Sequence, residues 1–201
     1  MNTALADVET LANAGRGIPN GPAVRASLIL LCTAWETYVE DVIREAARAI
    51  VESPDLTPEG LPDPLRQRIT NRVKSKNPWL LAGDGWKTYT LQCVEEQVGG
   101  QALNTPDYNN VNKLLEQILD LPKALEQCTW QGMPSDRVTT YLDDVIQIRG
   151  EAVHRGTTPG DLNITGVLDW HGWITRLSDR LDSLITEHLW SQHRLTLGDN
   201  T

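Results

Sequence analysis

The sequence predicts an all-α protein, a bundle in which amphipathic helices cover one another's apolar faces. Three observations predict it. Apolar residues recur at spacings of three and four through two long segments, Pro22 to Glu52 and Thr165 to His193. No array of short alternating segments suggests a sheet. Hydrophobic residues make up 40% of the 201 positions, enough for one core, although Phe is absent and seven tryptophans carry most of the aromatic bulk. A single domain over 1–201 is expected, with its core at about 22–195 and a Pro/Gly-rich insertion at 54–106 between core helices.

The first core helix is the longest run. Leu28, Leu31, Cys32, Trp35, Tyr38, Val39, Val42, Ile43, Ala46 and Ile50 share a face, and Glu40, Asp41, Arg44, Glu45 and Arg48 lie between them. Pro22 suits a first turn, where no N–H partner is lost, and Ser53-Pro54 ends the run. Pro54, Pro58, Pro62 and Pro64 make the following stretch a linker. A short helix is expected over Leu65 to Lys76. Asn77-Pro78 and Gly83-Asp84-Gly85 bracket an irregular stretch, and the latter lacks the Gly-x4-Gly-Lys spacing of a phosphate loop. Thr88 to Val98 suits either a strand or a helix, and Gly99-Gly100 closes it.

Thr105-Pro106-Asp107 starts a helix that carries Val111, Leu114, Leu115, Ile118 and Leu119 and stops near Pro122. Met133-Pro134-Ser135-Asp136 opens the next, with Ser135 as its cap and Asp136 at its positive end. Its buried side is Val138, Leu142, Val145, Ile146, Ala152 and Val153; Gly156 ends it, and Pro159-Gly160 prevents continuation. The last helix, from near Thr165 to about His193, carries Leu168, Ile174, Leu177, Leu181, Leu184, Ile185 and Leu189. His171 and His188 lie on that apolar side and read as core histidines with satisfied rings. Trp170 and Trp173, three apart, suit core or dimer packing better than base stacking.

Charge and cysteine usage exclude several classes. The formal net charge is −9 and the pI about 4.9, so a grip on nucleic acid over the whole surface is excluded and any contact is local. Leu65 to Pro78 is the candidate patch: Arg66, Arg68, Arg72, Lys74 and Lys76 occur there without one acidic residue. The same pattern also fits a solvated amphipathic face. Cys32, Cys93 and Cys128 are odd in number and far apart, which excludes a disulfide framework and a zinc ribbon and suits a reducing cytoplasm. His188 and His193 with either Cys93 or Cys128 match no common zinc spacing. The first residues lack a basic, apolar leader, and Ala26 to Trp35 is too short to cross a bilayer. A cytoplasmic protein with no membrane partner is expected.

The chemistry concentrates at Ile146 to Gly156. Arg149 is a permanent cation able to hold two phosphate oxygens, and His154, five positions on, is a side chain that moves protons near neutral pH. On a helix the two leave about 140° apart, so they straddle a cleft rather than stack. Such a pair can bind a phosphodiester and transfer a proton on it without cofactor or metal. The spacing equally fits a surface arginine paired with a carboxylate. Glu151 and Arg155 form a one-turn ion pair in the favourable order and stand beside the site as an auxiliary and an RNA-binding candidate.

Three segments together resemble the HEPN superfamily, in its RiboL-PSP type. They are Ala34-Trp35-Glu36-Thr37-Tyr38-Val39-Glu40-Asp41, the stretch from Asn104-Thr105-Pro106-Asp107-Tyr108 to Leu114-Leu115, and Leu142-Asp143-Asp144-Val145-Ile146-Gln147-Ile148-Arg149 through His154, which carries an Arg-x4-His signature. They span about Ala23 to Thr157. The resemblance implies a metal-independent endoribonuclease of a toxin–antitoxin or anti-phage system, working as a homodimer on RNA, with an antitoxin or defence-system protein as a further partner. It implies His154 as base or acid, Arg149 as stabiliser of the phosphate, and Glu36 holding Arg149 from the neighbouring helix. Gly150 stands where active members usually carry a polar residue, often Asn. That departure keeps a second reading open, a non-catalytic HEPN-like dimerisation or binding module.

Overall fold

A computed structural model describes residues 2–14, 21–74, 77–99, 105–155 and 162–195. Their order is α1 (Asn2–Ala14), α2 (Pro22–Glu52), α3 (Asp63–Lys74), α4 (Gly85–Val98), α5 (Tyr108–Leu119), α6 (Ala124–Gln127), α7 (Ser135–Arg155) and α8 (Ile164–His193), with short 3-10 turns at Pro58–Gly60 and Pro78–Leu81. Among the described residues the only β pairing is an isolated bridge between Trp130 and Met133. The all-α expectation holds.

Helix α2 is the axis of the bundle, and α1, α4, α5, α7 and α8 all pack on it. Its sequence explains why. Val24, Leu28, Leu31, Trp35, Val39, Ile43, Ala46 and Ile50 are fully buried, and Ala34, Ala47 and Val51 extend the buried arc round the helix. An arc that wide cannot be covered by one neighbour. Pro22 occupies the first turn and Ser53 the C-terminal cap, as expected.

The long-range polar contacts of α2 fix the register of its neighbours. The Trp35 indole N–H donates to the Pro106 carbonyl at 3.0 Å, which ties the entry of α5 to α2. The Tyr38 hydroxyl lies 2.7 Å from Asp182 Oδ1 and 2.9 Å from the Ser178 carbonyl, which ties α2 to α8.

Capping signals place the other ends. Asp107 accepts the Asn110 N–H at 2.8 Å and starts α5; Asn163 accepts the Gly166 N–H at 3.2 Å and starts α8. Helix α5 stops at Asp120, which is left-handed with φ 56°, two residues before Pro122. Arg194 ends α8 in the same way with φ 60°.

Two expectations are corrected, an open one is decided, and an unassigned element appears. Pro64 lies inside the first turn of α3, so the linker ends earlier than its prolines suggested. Thr88 to Val98 is helical: Tyr89, Thr90, Cys93, Val94 and Val98 are buried at helical spacings. Pro134 rather than Ser135 precedes α7, its carbonyl accepting the Val138 N–H at 3.1 Å. Helix α1, to which no element was assigned, buries Leu5, Val8 and Ala12 against the bundle and packs on α2 and α8. The end of α7 at Gly156 and the Pro159-Gly160 stop lie outside the described residues.

The irregular stretch before α4 needs its glycines. Gly83 has φ +58°, and a Cβ at Gly85 would collide with the Leu80 carbonyl oxygen. Among the described residues no helix is long and apolar enough to cross a membrane.

Candidate functional site

Helix α7 carries the predicted pair. Val138, Leu142, Val145, Ile146 and Ala152 are buried and hold it on α2 and α6; Val153, expected on that buried side, is 44% exposed instead. Arg149 follows that stripe and is half-buried; His154 and Arg155, in the last turn, are exposed. The angular separation set by five helical residues therefore appears as a difference of environment. Within one chain Arg149 leans on α2 while His154 faces solvent.

Arg149 meets α2 beside Cys32 and Glu36. Burial pushes the Cys32 thiol up to about 12, opposed by the Arg149 cation and reinforced by Glu36. Burial likewise holds the Glu36 carboxyl above the usual range, Glu40 adds to the rise, and Arg149 pulls it back. Arg149 thus faces a carboxylate from the neighbouring helix through partly desolvated space. Among the described residues no ion pair within 4.0 Å joins the two. The two groups act on each other as charges at a distance rather than through a shared hydrogen bond.

Two hydrogen bonds tie the three segments to one another. Trp35, next to Glu36, donates to Pro106 at 3.0 Å. The Tyr108 backbone N–H donates to the Asp143 carboxylate of α7 at 3.3 Å. Sequence reasoning missed both bonds. Their only signal was the recurrence of aromatic and acidic residues inside the three segments, because a backbone partner leaves no mark in a sequence. The Tyr108 hydroxyl also donates to Glu126 of α6, and burial and that carboxylate push the phenol up to about 12.

The other candidates are placed differently. Glu151 is half-buried and Arg155 exposed, and among the described residues they form no ion pair, against the one-turn pairing expected of them. The described arginines of α3 are engaged. Arg66 binds Asp63 and the Glu59 carbonyl, Arg68 donates to Gln117 of α5 at 3.0 Å, and Arg72 pairs with Glu96 of α4. They clamp α3 onto its neighbours, which favours the solvated-face reading of this segment. The Lys74 side chain and Lys76 lie outside the described residues.

His188 places Nε2 2.8 Å from the Leu119 carbonyl. Cys93 and Cys128 are both buried, and the Cys128 thiol donates to the Ala124 carbonyl at 3.4 Å. Among the described residues no group of three or more His, Cys, Asp or Glu is placed to hold a metal ion. Trp173 is buried in an aromatic cluster with Trp130 and Tyr141, at ring separations of 6.4 and 5.1 Å.

Comparison with known families settles the lineage. The RiboL-PSP-HEPN family model matches residues 3–187. This chain belongs to the RiboL-PSP-HEPN family. No curated protein and no solved structure shows significant similarity to it. The match extends the HEPN resemblance at both ends, taking in α1 and most of α8. The HEPN unit of this chain therefore includes the two helices that cover α2 on the side linked through Tyr38 and Asp182. Arg149 and His154 lie within the matched residues, on the last of the three linked segments.

Proposed function

We propose that this HEPN protein is a metal-independent endoribonuclease whose site forms between two copies of the chain. One observation carries the reading: the family match spans α7, on which Arg149 is half-buried and within charge range of Glu36 while His154 stands exposed in the last turn. A single chain offers the phosphate ligand and the proton carrier on different sides of α7. A second copy packed on this face brings an opposing pair to the same groove.

There, His154 of one copy removes the proton from a ribose 2′-OH. The 2′-oxygen attacks the adjacent phosphorus, and the P–O5′ bond breaks. The leaving 5′-oxygen takes a proton from His154 of the other copy, which acts as the acid and enters the step already carrying that proton. Arg149 stabilises the charge that builds on the non-bridging oxygens. The products are a 2′,3′-cyclic phosphate and a 5′-hydroxyl, and no step calls for a metal. Arg155, exposed beside His154, suits a backbone phosphate of the RNA, and Glu151 an auxiliary role in positioning. The setting we infer is a cytoplasmic toxin–antitoxin or anti-phage system, with a neutralising or defence partner protein.

The test is cleavage of single-stranded RNA with EDTA present, comparing the intact protein with Arg149→Ala and His154→Ala. Loss of cutting in both variants, with the dimer retained in light scattering, is expected. Equal activity in all three proteins overturns the reading.

Gly150 supports a second reading, a non-catalytic dimerisation module. It is half-buried in mid-helix, and a Cβ there would meet nothing within 4 Å. Packing inside the chain does not demand glycine, so the polar residue usual in active members is missing without a steric reason in the protomer. This reading predicts a dimer that cuts no RNA.

A further inference from the structure

A second feature borders the α7 helix. Between α7 and the start of α8 lies a groove of about 420 Å³, open to solvent, whose walls include Ile148, Asn163, Thr165, Asp169 and Trp170. That volume is in the range of small-molecule sites. Ile148 precedes Arg149 on α7, and because consecutive helical residues point about 100° apart, this space flanks the helix face that carries Arg149.

The lining has a definite chemistry. Only Trp173 of the α8 tryptophan pair is buried; Trp170, for which packing was expected over base stacking, is half-buried on this groove and offers an indole surface on which any nucleobase can stack. Asp169 offers a carboxylate, an acceptor of two hydrogen bonds and a donor of none. The Asn163 carbonyl oxygen accepts the Gly166 N–H at 3.2 Å, and its NH2 is a donor. Thr165 adds a hydroxyl.

We propose that this groove is a nucleobase subsite and that it takes guanine. Guanine alone among the four RNA bases presents two adjacent donors on its Watson–Crick edge, N1–H and N2–H2, which match one carboxylate. Its O6 then accepts from Asn163 or Thr165. Adenine would set the N1 lone pair against Asp169; cytosine would do the same with N3, and uracil with a carbonyl oxygen. An unmatched acceptor facing a carboxylate is strongly disfavoured. The use of the subsite in cleavage rests on the nuclease reading, but base binding does not require catalysis.

Calorimetric titration of the dimer with GMP, AMP, CMP and UMP tests this directly. GMP is expected to bind roughly ten-fold tighter than the other three. Asp169→Asn, an exposed and structurally mild change, replaces one acceptor by a donor and should shift preference from GMP to AMP. Trp170→Leu should weaken all four. Equal affinities in the intact protein, or a GMP preference unchanged by Asp169→Asn, overturn the proposal. His154→Ala separates the two readings. It should keep GMP binding while losing RNA cleavage. GMP binding in a protein that never cuts RNA overturns the nuclease reading alone; cutting with no preference for guanosine at the cleaved site overturns the subsite alone.

Discussion

The hydroxyl of Tyr38 in α2 donates to the carboxylate of Asp182 in α8 at 2.7 Å, across 144 positions of sequence. The bond joins the two longest helices of the bundle where both are largely buried. Burial holds the Asp182 carboxyl above the usual range; the bond from Tyr38 pulls it back, and Asp179 adds to the rise. Tyr38→Phe removes the donor and leaves a partly desolvated carboxylate behind. We expect a loss of about 1–3 kcal/mol in urea unfolding. In Asp182→Asn the amide takes the place of the charge, and the loss should be smaller.

Trp35 makes a comparable link. Its indole is fully buried, and its N–H donates to Pro106 at 3.0 Å. Trp35→Phe keeps most of the apolar bulk but leaves that carbonyl unpaired. The expected cost is about 1–3 kcal/mol, read as a lower denaturation midpoint. Because Pro106 leads into α5, amide hydrogen exchange should rise at the start of α5 before it rises elsewhere.

Stability should also follow pH with an unusual sign. Glu36, Asp143 and Asp182 all have carboxyl groups held above their ordinary range, burial being the first cause in each. The folded chain therefore binds protons more tightly at these sites than the unfolded chain does. Their contribution is fully present below the unfolded-state pKa and is lost as pH rises through the folded value. Urea midpoints measured as pH rises from about 4 should carry a downward term from these groups. Glu36→Gln should remove part of it. An identical pH profile in that variant would show that Glu36 ionises as it does in the unfolded chain.

Gly150 gives a prediction on helix stability and assembly together. With open space above it, Gly150→Ala should raise monomer stability by about 0.5–1 kcal/mol. If a partner helix approaches closely there, the same change should weaken the dimer in analytical ultracentrifugation. Gly150→Asn restores the polar residue usual in active HEPN nucleases and should increase RNA cleavage.

Much of this architecture was legible in the sequence, and the exceptions have physical causes. Helices α2, α5 and α8 were clear because long apolar stripes end at recognisable signals: Pro22, Asp107 and the residues around Thr165. Helix α4 was ambiguous because Thr88, Tyr89 and Thr90 favour strands locally; burial of Cys93, Val94 and Val98 against the bundle decided it. Helix α1 escaped notice because Leu5, Val8 and Ala12 make a short stripe of modest bulk, stable only on α2 and α8. A pairing of Glu36 with Arg149 came only from the family pattern, and among the described residues no ion pair joins them. The Tyr108–Asp143 bond was not legible, since its donor is main chain. The groove beside Ile148 was invisible, because it depends on how the start of α8 sits against α7.

The chemistry left on cut RNA is the most direct test of a shared Arg149/His154 site. With EDTA present, mass spectrometry of a defined single-stranded substrate should show 2′,3′-cyclic phosphate on one fragment and 5′-hydroxyl on the other. Both ends should disappear in Arg149→Ala and in His154→Ala while dimer and fold persist. Fragments bearing 3′-hydroxyl and 5′-phosphate, or undiminished cutting by either variant, would contradict it.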